Sequence, residues 1–213
     1  MQIDVVLDNH YALTNSVLTK LEGYESINYK VVSNEGIYVL KKYEYSKESL
    51  SILEAENRIL SALKVLDAYE VPFPVPTKNN ELLVLKEGSI YRLLSYVEGH
   101  LLGDVPQNES LLYSFGVFLA TMDIALMDLN EATIKAKENQ WDLKHFNSNW
   151  SLLQYIPDPR DRNLVDYFFL QYHQHITPIA YDLRQAIIHN DANDWNVLTK
   201  DGKVTGIIDF GDM

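Results

Sequence analysis

Two short polar motifs near the C-terminal end constrain this chain more than any other feature. The first is His189-Asn190-Asp191-Ala192-Asn193-Asp194-Trp195-Asn196, and the second is Asp209-Phe210-Gly211, which directly follows Ile207-Ile208. Both motifs follow short runs of β-forming residues, so their side chains can face one cleft. Asp and Asn are also common turn residues, but the joint pattern requires matched residue types at several positions. We therefore interpret the two motifs as one site.

The residue types in these motifs suit phosphoryl transfer. That reaction needs a carboxylate near the attacking hydroxyl and hard oxygen ligands for Mg²⁺. Protein kinases use the same pattern, His-x-Asp-x-x-x-x-Asn followed by Asp-Phe-Gly. We predict Asp191 as the base, with His189 in the same catalytic loop, and Asn196 and Asp209 as the metal ligands.

Two further acids lie close to these motifs in the sequence. They are Asp194 and Asp212. Either side chain could meet the ammonium group of a cationic substrate. The alternative is that they cap turns or brace the loop, which short acidic side chains commonly do.

A lysine and a glutamate in the N-terminal half complete the predicted site. Lys41 ends the segment Tyr38-Val39-Leu40-Lys41 in a predicted strand, and Glu56 lies on the following helix. We expect Lys41 to contact the α- and β-phosphates of a nucleotide and Glu56 to hold Lys41 in place. Lys42 and Glu54 are the alternatives, and strand alternation places Lys41 and Lys42 on opposite faces of the sheet.

Two other segments are expected to contact the nucleotide. Residues 23–29 would form the loop over its phosphates, where the hydroxyl and N–H of Ser26 bind phosphate and Asn28 braces the loop. This loop has one glycine, so an ordinary turn is the alternative. Residues 95–99 would form the hinge, where the backbone of Tyr96 and Val97 would bond the nucleobase.

The spacing of apolar residues predicts the secondary structure. Strands dominate before Gly99 and helices dominate after it. The chain is therefore predicted to be an α+β protein, with an N-terminal lobe over 1–97 and a C-terminal lobe over 98–213. The predicted helices are 10–21, 49–66, 109–129 and 162–185, and the predicted strands are 28–33, 37–43, 82–85, 90–96, 186–188, 197–199 and 205–208.

Composition excludes several classes of partner and site. The formal net charge of −12 disfavours nucleic acid and anionic membranes, which both attract basic surfaces. The absence of cysteine excludes disulfides and thiolate zinc sites. The N-terminus has no signal-peptide pattern and no apolar run is long enough to span a membrane. We therefore expect a cytoplasmic protein.

The motifs resemble those of the aminoglycoside phosphotransferase and choline kinase-like family. Within that group the chain is most similar to the hydroxylysine kinase branch. The closer match lies in residues 188–194, residues 206–213, and the segment from Trp141-Asp142-Leu143 to Tyr155-Ile156-Pro157. The resemblance implies a bilobal protein-kinase-like fold, Mg²⁺, a purine nucleoside triphosphate (ATP in most of the group, GTP in hydroxylysine kinase) and a small cationic hydroxylated acceptor.

Relatives in this group continue beyond Asp-Phe-Gly with helices that complete the acceptor pocket. We therefore expect an incomplete C-terminal lobe, an uncovered apolar face on helix 109–129, and possible further domains in the parent chain. The expected function is a small-molecule kinase acting on an amino alcohol or a hydroxy amino acid. The alternatives are an aminoglycoside phosphotransferase and a nucleotide-binding module without turnover.

Overall fold

The structure, a computed structural model, describes residues 2–23, 26–137 and 142–213, without the side chains of Gln2 and Lys144. The chain forms two compact units: one comprises Met1–Lys135 and Ile187–Met213, and the other comprises Ala136–Ala186. The mixed α+β architecture with antiparallel sheets confirms the predicted fold class. The predicted lobe boundary at residues 97 and 98 stays a prediction.

A five-stranded antiparallel sheet forms the first half of the first unit. One face packs on the N-terminal helix, where Leu40 and Leu93 join Val6 and Leu7 in a buried cluster. The strands are β1 (Val17–Leu21), β2 (Ile27–Val32), β3 (Ile37–Glu44), β4 (Val84–Lys86) and β5 (Ser89–Ser95), and their order in the sheet is β1-β2-β3-β5-β4. The helices are α1 (Gln2–Val6, continued by a π-helical turn over Leu7–Tyr11) and α2 (Lys47–Ala62, continued by a 3₁₀ turn over Leu63–Val65).

A smaller antiparallel sheet carries the C-terminal motifs. Its strands are β6 (His100–Leu101), β7 (Val197–Lys200) and β8 (Lys203–Ile207), in that order. A tight turn joins β7 and β8, where Asp201 and Gly202 both have left-handed backbone angles, with φ of 51° and 73°. On the outer edge of β8, Glu70 pairs with Gly206: the Glu70 N–H donates to the Thr205 carbonyl at 2.8 Å.

The long helix α3 (Glu109–Leu126) packs against β8, where the Val204 N–H donates to Ser114 Oγ at 3.0 Å. By length and composition alone α3 could cross a membrane, with a mean hydropathy of 1.3. Its inner face belongs to the core of the first unit, since Phe118 and Met122 are fully buried there. Its outer face exposes Leu112, Tyr113, Val117 and Ile124, so the apolar face expected from the sequence is uncovered in the described residues.

The second unit is helical. It contains a 3₁₀ segment over Leu143–Tyr155, helix α5 (Pro159–His175) and a 3₁₀ segment over Thr177–Asp182; the short helix α4 (Ala132–Ala136) lies at its boundary. The buried Phe169 stacks with two neighbouring rings, those of Phe146 at 4.3 Å and the exposed Trp150 at 5.8 Å between ring centroids. Trp141, which the sequence comparison with hydroxylysine kinases includes, lies outside the described residues.

Two predicted elements are wrong, and three predicted helices end early: 49–66 at Ala62, 109–129 at Leu126 and 162–185 at His175. Residues 10–21 do not form a helix: Ala12 and Asn15 have left-handed backbone angles, and the following residues form β1. Of the apolar residues that suggested a helix, Tyr11 and Leu13 are buried, whereas Val17 is exposed on β1. Helix α5 ends at His175 because Pro178, which lacks an N–H, starts a 3₁₀ segment. Residues 186–188 form no strand in the described chain.

Candidate active site

The β7–β8 hairpin brings the two polar motifs together. Val197 pairs with Ile207, so Asn196 and Ile208, the residues just outside this pair, are also adjacent. The Ile208 N–H donates to the Asn196 carbonyl at 2.9 Å. Asp209 follows immediately, with a left-handed φ of 64° that turns the chain away from the strand. Asn196 and Asp209 therefore lie at the same end of the hairpin.

The Asp191 carboxylate is held by an amide on each of its oxygens. Asn196 Nδ2 donates to Oδ2 at 2.7 Å, and Asn193 Nδ2 donates to Oδ1 at 2.8 Å. Asn193 was not among the predicted site residues. Its side-chain oxygen also accepts from the Trp195 N–H at 2.8 Å, which forms the local turn that Asn favours when it lies two residues before the donor amide. This turn preference is the only sequence signal that pointed to it.

His189 ties the two motifs to each other. Its ring is only 2% exposed. Its Nε2 lies 3.0 Å from the Ile208 carbonyl, which can only accept, and its Nδ1 accepts from the Asp191 N–H at 3.3 Å. This arrangement requires a neutral ring with the proton on Nε2. Burial lowers the pKa of His189 and so favours the same neutral form.

Lys41 reaches the same cleft from β3. Its Nζ contacts Asp209 Oδ1 at 2.8 Å, with the side chains 14% and 54% exposed. Burial opposes both charged forms, but the charge and hydrogen bond of Asp209 raise the pKa of Lys41, and Lys41 lowers the pKa of Asp209. Lys42, on the opposite face, lies over the Tyr91 ring at 5.7 Å.

Glu56 contacts Arg92 in the structure, and its predicted role in holding Lys41 stays a prediction. Glu56 Oε2 accepts from Arg92 Nη1 at 2.9 Å, and Lys41 contacts Asp209 instead. The reason is the register of the sheet: Arg92 on β5 lies directly opposite Lys41 on β3, and its longer side chain reaches α2. The sequence did not identify Arg92, because its position relative to Lys41 depends on how the two strands align.

As predicted, Asn28 braces the loop between β1 and β2. The Ser26 hydroxyl donates to Asn28 Oδ1 at 2.7 Å, and Asn28 Nδ2 donates to the Glu22 carbonyl at 3.1 Å. A Cβ at Gly23 would contact the Asn28 amide and lie 2.6 Å from the Ser26 carbonyl, so the closed loop requires glycine there. The other predicted loop residues, Tyr24 and Glu25, lie outside the described residues.

The predicted hinge connects the two sheets. The Tyr96 N–H donates to the Ile37 carbonyl at 3.3 Å, and the Lys30 ammonium lies 4.1 Å from the centre of the Tyr96 ring. Val97 is buried. Its backbone N–H and carbonyl have no hydrogen-bond partner among the described residues.

Residues 18–213 match the model of the phosphotransferase enzyme family, APH. The chain belongs to this family. This membership covers nearly the whole chain and confirms the family resemblance read from the motifs.

Curated relatives of this phosphotransferase family member include hydroxylysine kinases. That of Danio rerio is 29% identical over 233 residues, and that of Mus musculus is 24% identical over 241 residues. Each alignment covers all of this chain and 64% of the relative. The chain therefore spans slightly less than two thirds of the length of the curated relatives it matches.

Solved structures share the fold of this family member. A microcompartment-associated aminopropanol kinase gives a TM-score of 0.75 at 18% identity, covering 99% of this chain and 69% of that one. An amicoumacin kinase in complex with AMP-PNP, Ca²⁺ and Ami gives 0.66 at 18% identity, covering 92% of this chain and 58% of that one. At these identities the likeness establishes the fold, and it confirms the predicted kinase-like architecture.

The remaining acids of this family member lie around the motifs. Asp194 is exposed, and its backbone carbonyl accepts from the Gly103 N–H at 2.9 Å. Asp212 is half-buried in a 3₁₀ turn over Phe210–Asp212, and its charge acts on His189. The described residues contain no cluster of three or more His, Asp or Glu side chains suited to a metal. The candidate ligands are one amide and one carboxylate, Asn196 and Asp209.

Proposed function

We propose that this chain is the nucleotide-binding and catalytic part of a small-molecule kinase. It would transfer the γ-phosphoryl group of a nucleoside triphosphate to a hydroxyl of an amino alcohol or a hydroxy amino acid. The observation that carries the proposal is the Asp191 carboxylate, clamped by two amides beside the hairpin end that holds Asp209, with Lys41 at the same point. The alternatives weighed from the sequence, an aminoglycoside phosphotransferase and a module without turnover, remain outcomes of the test.

In this proposal Asp191 accepts the proton of the acceptor hydroxyl. The hydroxyl oxygen forms a bond to the γ-phosphorus, the bond from that phosphorus to the bridging oxygen breaks, and the nucleoside diphosphate leaves. Each Asp191 oxygen accepts one amide hydrogen bond and keeps a further lone-pair position for the substrate proton. His189 is neutral and has both ring nitrogens engaged, so it positions the loop and leaves the proton transfer to Asp191.

The donor set fits a hard divalent cation. The amide oxygen of Asn196 and the carboxylate of Asp209 would hold Mg²⁺, which prefers oxygen ligands and usually retains water and phosphate ligands as well. Bound Mg²⁺ would neutralise charge on the β- and γ-phosphates. Lys41 Nζ contacts Oδ1 of Asp209 at 2.8 Å, so the second carboxylate oxygen would be available to Mg²⁺ and the further N–H groups of the ammonium would be available to the phosphates.

The nucleotide and the acceptor are assigned from different features. The backbone of Val97, which has no hydrogen-bond partner among the described residues, and that of the neighbouring Tyr96 would receive the nucleobase of ATP or GTP, and Ser26 would face the phosphates. The net charge of −12 and the acids Asp194 and Asp212 favour a cationic acceptor. The relatives named hydroxylysine kinase and aminopropanol kinase support a small hydroxylated amine.

The test is a phosphoryl-transfer screen with ATP and with GTP in the presence of Mg²⁺. The acceptors are hydroxylysine, 1-amino-2-propanol, homoserine and an aminoglycoside, and ³¹P NMR identifies the phosphorylated product. Both this 213-residue chain and any longer native polypeptide that contains it are assayed. We expect transfer to a small amine, and none by the Asp191→Asn variant.

The outcomes separate the alternatives. Transfer to the aminoglycoside alone would identify an aminoglycoside phosphotransferase. Mg²⁺-dependent nucleotide binding without transfer to any acceptor, by the longest native polypeptide, would indicate a binding module. Failure to bind either nucleotide would reject the proposed function for this chain.

A further inference from the structure

An exposed tryptophan and an exposed carboxylate lie side by side in the loop that carries Asp191. They are Trp195, which is 58% exposed, and Asp194. Both side chains lie against Gly103: an ideal Cβ at that glycine would be 3.3 Å from Asp194 Oδ2 and 3.5 Å from Trp195 Cη2. The carboxylate and the far edge of the indole therefore converge on one small region of the surface.

The backbone of this pair is held on two sides. The Asp194 carbonyl accepts from the Gly103 N–H at 2.9 Å, which attaches the loop to the turn after β6. On the other side, the Trp195 N–H donates to Asn193 Oδ1 at 2.8 Å, and Asn193 Nδ2 donates to Asp191 Oδ1 at 2.8 Å. One side-chain amide therefore separates the backbone of Trp195 from the carboxylate of the proposed base, so a small molecule could contact both.

Both side chains of the pair are available to a ligand. Among the described residues, the Asp194 carboxylate has no hydrogen-bond or ion-pair partner. A Trp195 indole with more than half of its surface exposed is unusual, because tryptophan is highly buried on average. Asp212, the other acid predicted to meet a substrate, differs from Asp194, since it is half-buried and its charge acts on His189.

We propose that Asp194 and Trp195 bind the ammonium group of the acceptor, while Asp191 accepts the proton of its hydroxyl. A carboxylate attracts an ammonium ion and accepts hydrogen bonds from it, and the indole face attracts the same ion through its π electrons. The net charge of −12 also favours a cation at this position. This inference rests on the proposed function, and it restricts the acceptor to an alcohol that carries a cationic amine close to the reacting hydroxyl.

Two matched acceptors isolate the charge. 1-Amino-2-propanol carries an ammonium group, and 1,2-propanediol has a neutral hydroxyl in its place. Each is titrated into the ¹⁵N-labelled chain while NMR follows the indole N–H signal of Trp195, which is assigned by its loss in Trp195→Phe. This measurement requires neither nucleotide nor turnover. Steady-state kinetics of the longest native polypeptide, with Mg²⁺-ATP and Mg²⁺-GTP, then give KM and kcat for each acceptor.

Two variants change the pair, and two others serve as controls. Asp194→Asn removes the charge and keeps the shape, and Trp195→Leu removes the ring. Asp201→Asn removes an equal charge at the other end of the β7–β8 hairpin, where asparagine suits the left-handed backbone. Trp150→Leu removes another exposed tryptophan, whose Nε1 donates to Asp166 Oδ1 at 2.8 Å.

The expected effects are selective for the amine. 1-Amino-2-propanol shifts the Trp195 signal, and 1,2-propanediol leaves it unchanged. Asp194→Asn raises the KM for the amine about tenfold and Trp195→Leu raises it about fivefold, because each variant loses one contact with the ammonium group. In both variants kcat, the KM for the diol and the nucleotide affinity stay within about twofold of the unmodified protein, as do all values in the two controls. A merely structural role would change the amine and the diol alike.

Several outcomes would overturn the inference. They are a Trp195 signal that does not respond to the amine or responds equally to the diol, an unchanged KM for the amine in Asp194→Asn, and an equal rise of that KM in Asp201→Asn. Each can occur while phosphoryl transfer to the amine continues, and the proposed function would then stand without this site. Absence of nucleotide binding by the unmodified chain would instead reject the proposed function, and the NMR titration would still show whether the pair binds an ammonium ion.

Discussion

At the scale of single residues, the two amides around Asp191 determine how its carboxylate can act. Asn193 and Asn196 hold one oxygen each, so the plane of the carboxylate is fixed before any substrate arrives. Of the two amides, Asn196 also belongs to the proposed metal site, whereas Asn193 contacts only the loop. Substitution of Asn193 therefore separates the orientation of the base from the binding of metal and nucleotide.

We expect Asn193→Ala to lower kcat by roughly tenfold or more, because a hydrogen bond to a charged group contributes about 1.5–3 kcal/mol. Nucleotide affinity should change little. Asp191→Asn should abolish transfer and also keep nucleotide affinity, because it removes the base and preserves the shape. Steady-state kinetics and calorimetric titration of both variants make the comparison. A normal kcat in Asn193→Ala would show that the second amide is not needed to orient Asp191.

His189 should make the stability of the chain depend on pH. Burial lowers its pKa below the ordinary value of 6.5, so the unfolded chain binds this proton more readily than the folded chain. Its contribution is fully present above about pH 6.5 and is lost as the pH falls toward the lowered pKa, with a slope of at most about 1.4 kcal/mol per pH unit.

Urea unfolding between pH 7.5 and 5.5 measures this slope. His189→Gln should flatten the profile, whereas His173→Gln should leave it unchanged, because His173 is exposed on α5. Equal slopes in all three proteins would contradict the assignment. The comparison uses unfolding free energies measured at one temperature and one salt concentration.

The motifs predicted which residue types form the site, but not all of their contacts. Asp191, Asn196 and Asp209 follow from spacing alone, since β7 and β8 are adjacent in sequence and one tight turn brings their ends together. The partner of Glu56 could not be read in the same way. Arg92 is 36 residues away in sequence and reaches Glu56 only because β5 pairs with β3 in one particular register.

At the scale of secondary-structure elements, two glycines with open space around them should respond to alanine in opposite ways. Gly116 lies on the exposed surface within α3, where alanine has better helix propensity, so Gly116→Ala should stabilise the chain by about 0.5–1 kcal/mol. Gly202 has φ of 73° in the β7–β8 turn, so Gly202→Ala should destabilise it by about 1–2 kcal/mol.

Chemical unfolding of both variants gives the signs directly. A Cβ at either position would meet nothing within 4 Å, so the difference between them isolates backbone conformation from packing. Stabilisation by Gly202→Ala would mean that the turn has another conformation in solution. Destabilisation by Gly116→Ala would mean that another chain covers this part of α3.

The element predictions were accurate where the apolar period had one interpretation. α2 and α3 begin after Ser46 and Asn108, whose side chains accept from Ser49 and Leu111 backbone N–H groups as helix caps. Residues 10–21 were misread because their apolar residues happen to fit a helical spacing. Tyr11 and Leu13 lie at the end of a helical turn, whereas Val17, Leu18 and Leu21 belong to β1. The left-handed Asn15 lies between these two groups.

At the scale of the whole molecule, the exposed face of α3 should govern solution behaviour. Tyr113, Val117 and Ile124 lie on one side of the helix and are 75%, 42% and 67% exposed. Exposed apolar patches favour association, and the net charge of −12 opposes it. Self-association of this chain should therefore increase with salt, because salt screens the repulsion.

We expect Val117→Lys/Ile124→Lys to reduce self-association in sedimentation velocity experiments. Its unfolding free energy should change by less than about 0.5 kcal/mol, as for most surface substitutions. Phe118→Ala provides the contrast on the buried side of the same helix and should cost about 3–5 kcal/mol. A double lysine variant as unstable as Phe118→Ala would show that this face is covered in solution.

The attachment of Glu70 to β8 limits how the cleft can move. The chain that leaves the five-stranded sheet enters β6 on one edge of the β7–β8 hairpin, and Glu70 pairs with Gly206 on the other edge. A single attachment would allow the hairpin to rotate in any direction, whereas two attachments favour rotation about the line that joins them. We therefore expect any separation of Lys41 from Asp209 to follow such a rotation, because a lateral slide would break the hydrogen bond from the Glu70 N–H to the Thr205 carbonyl.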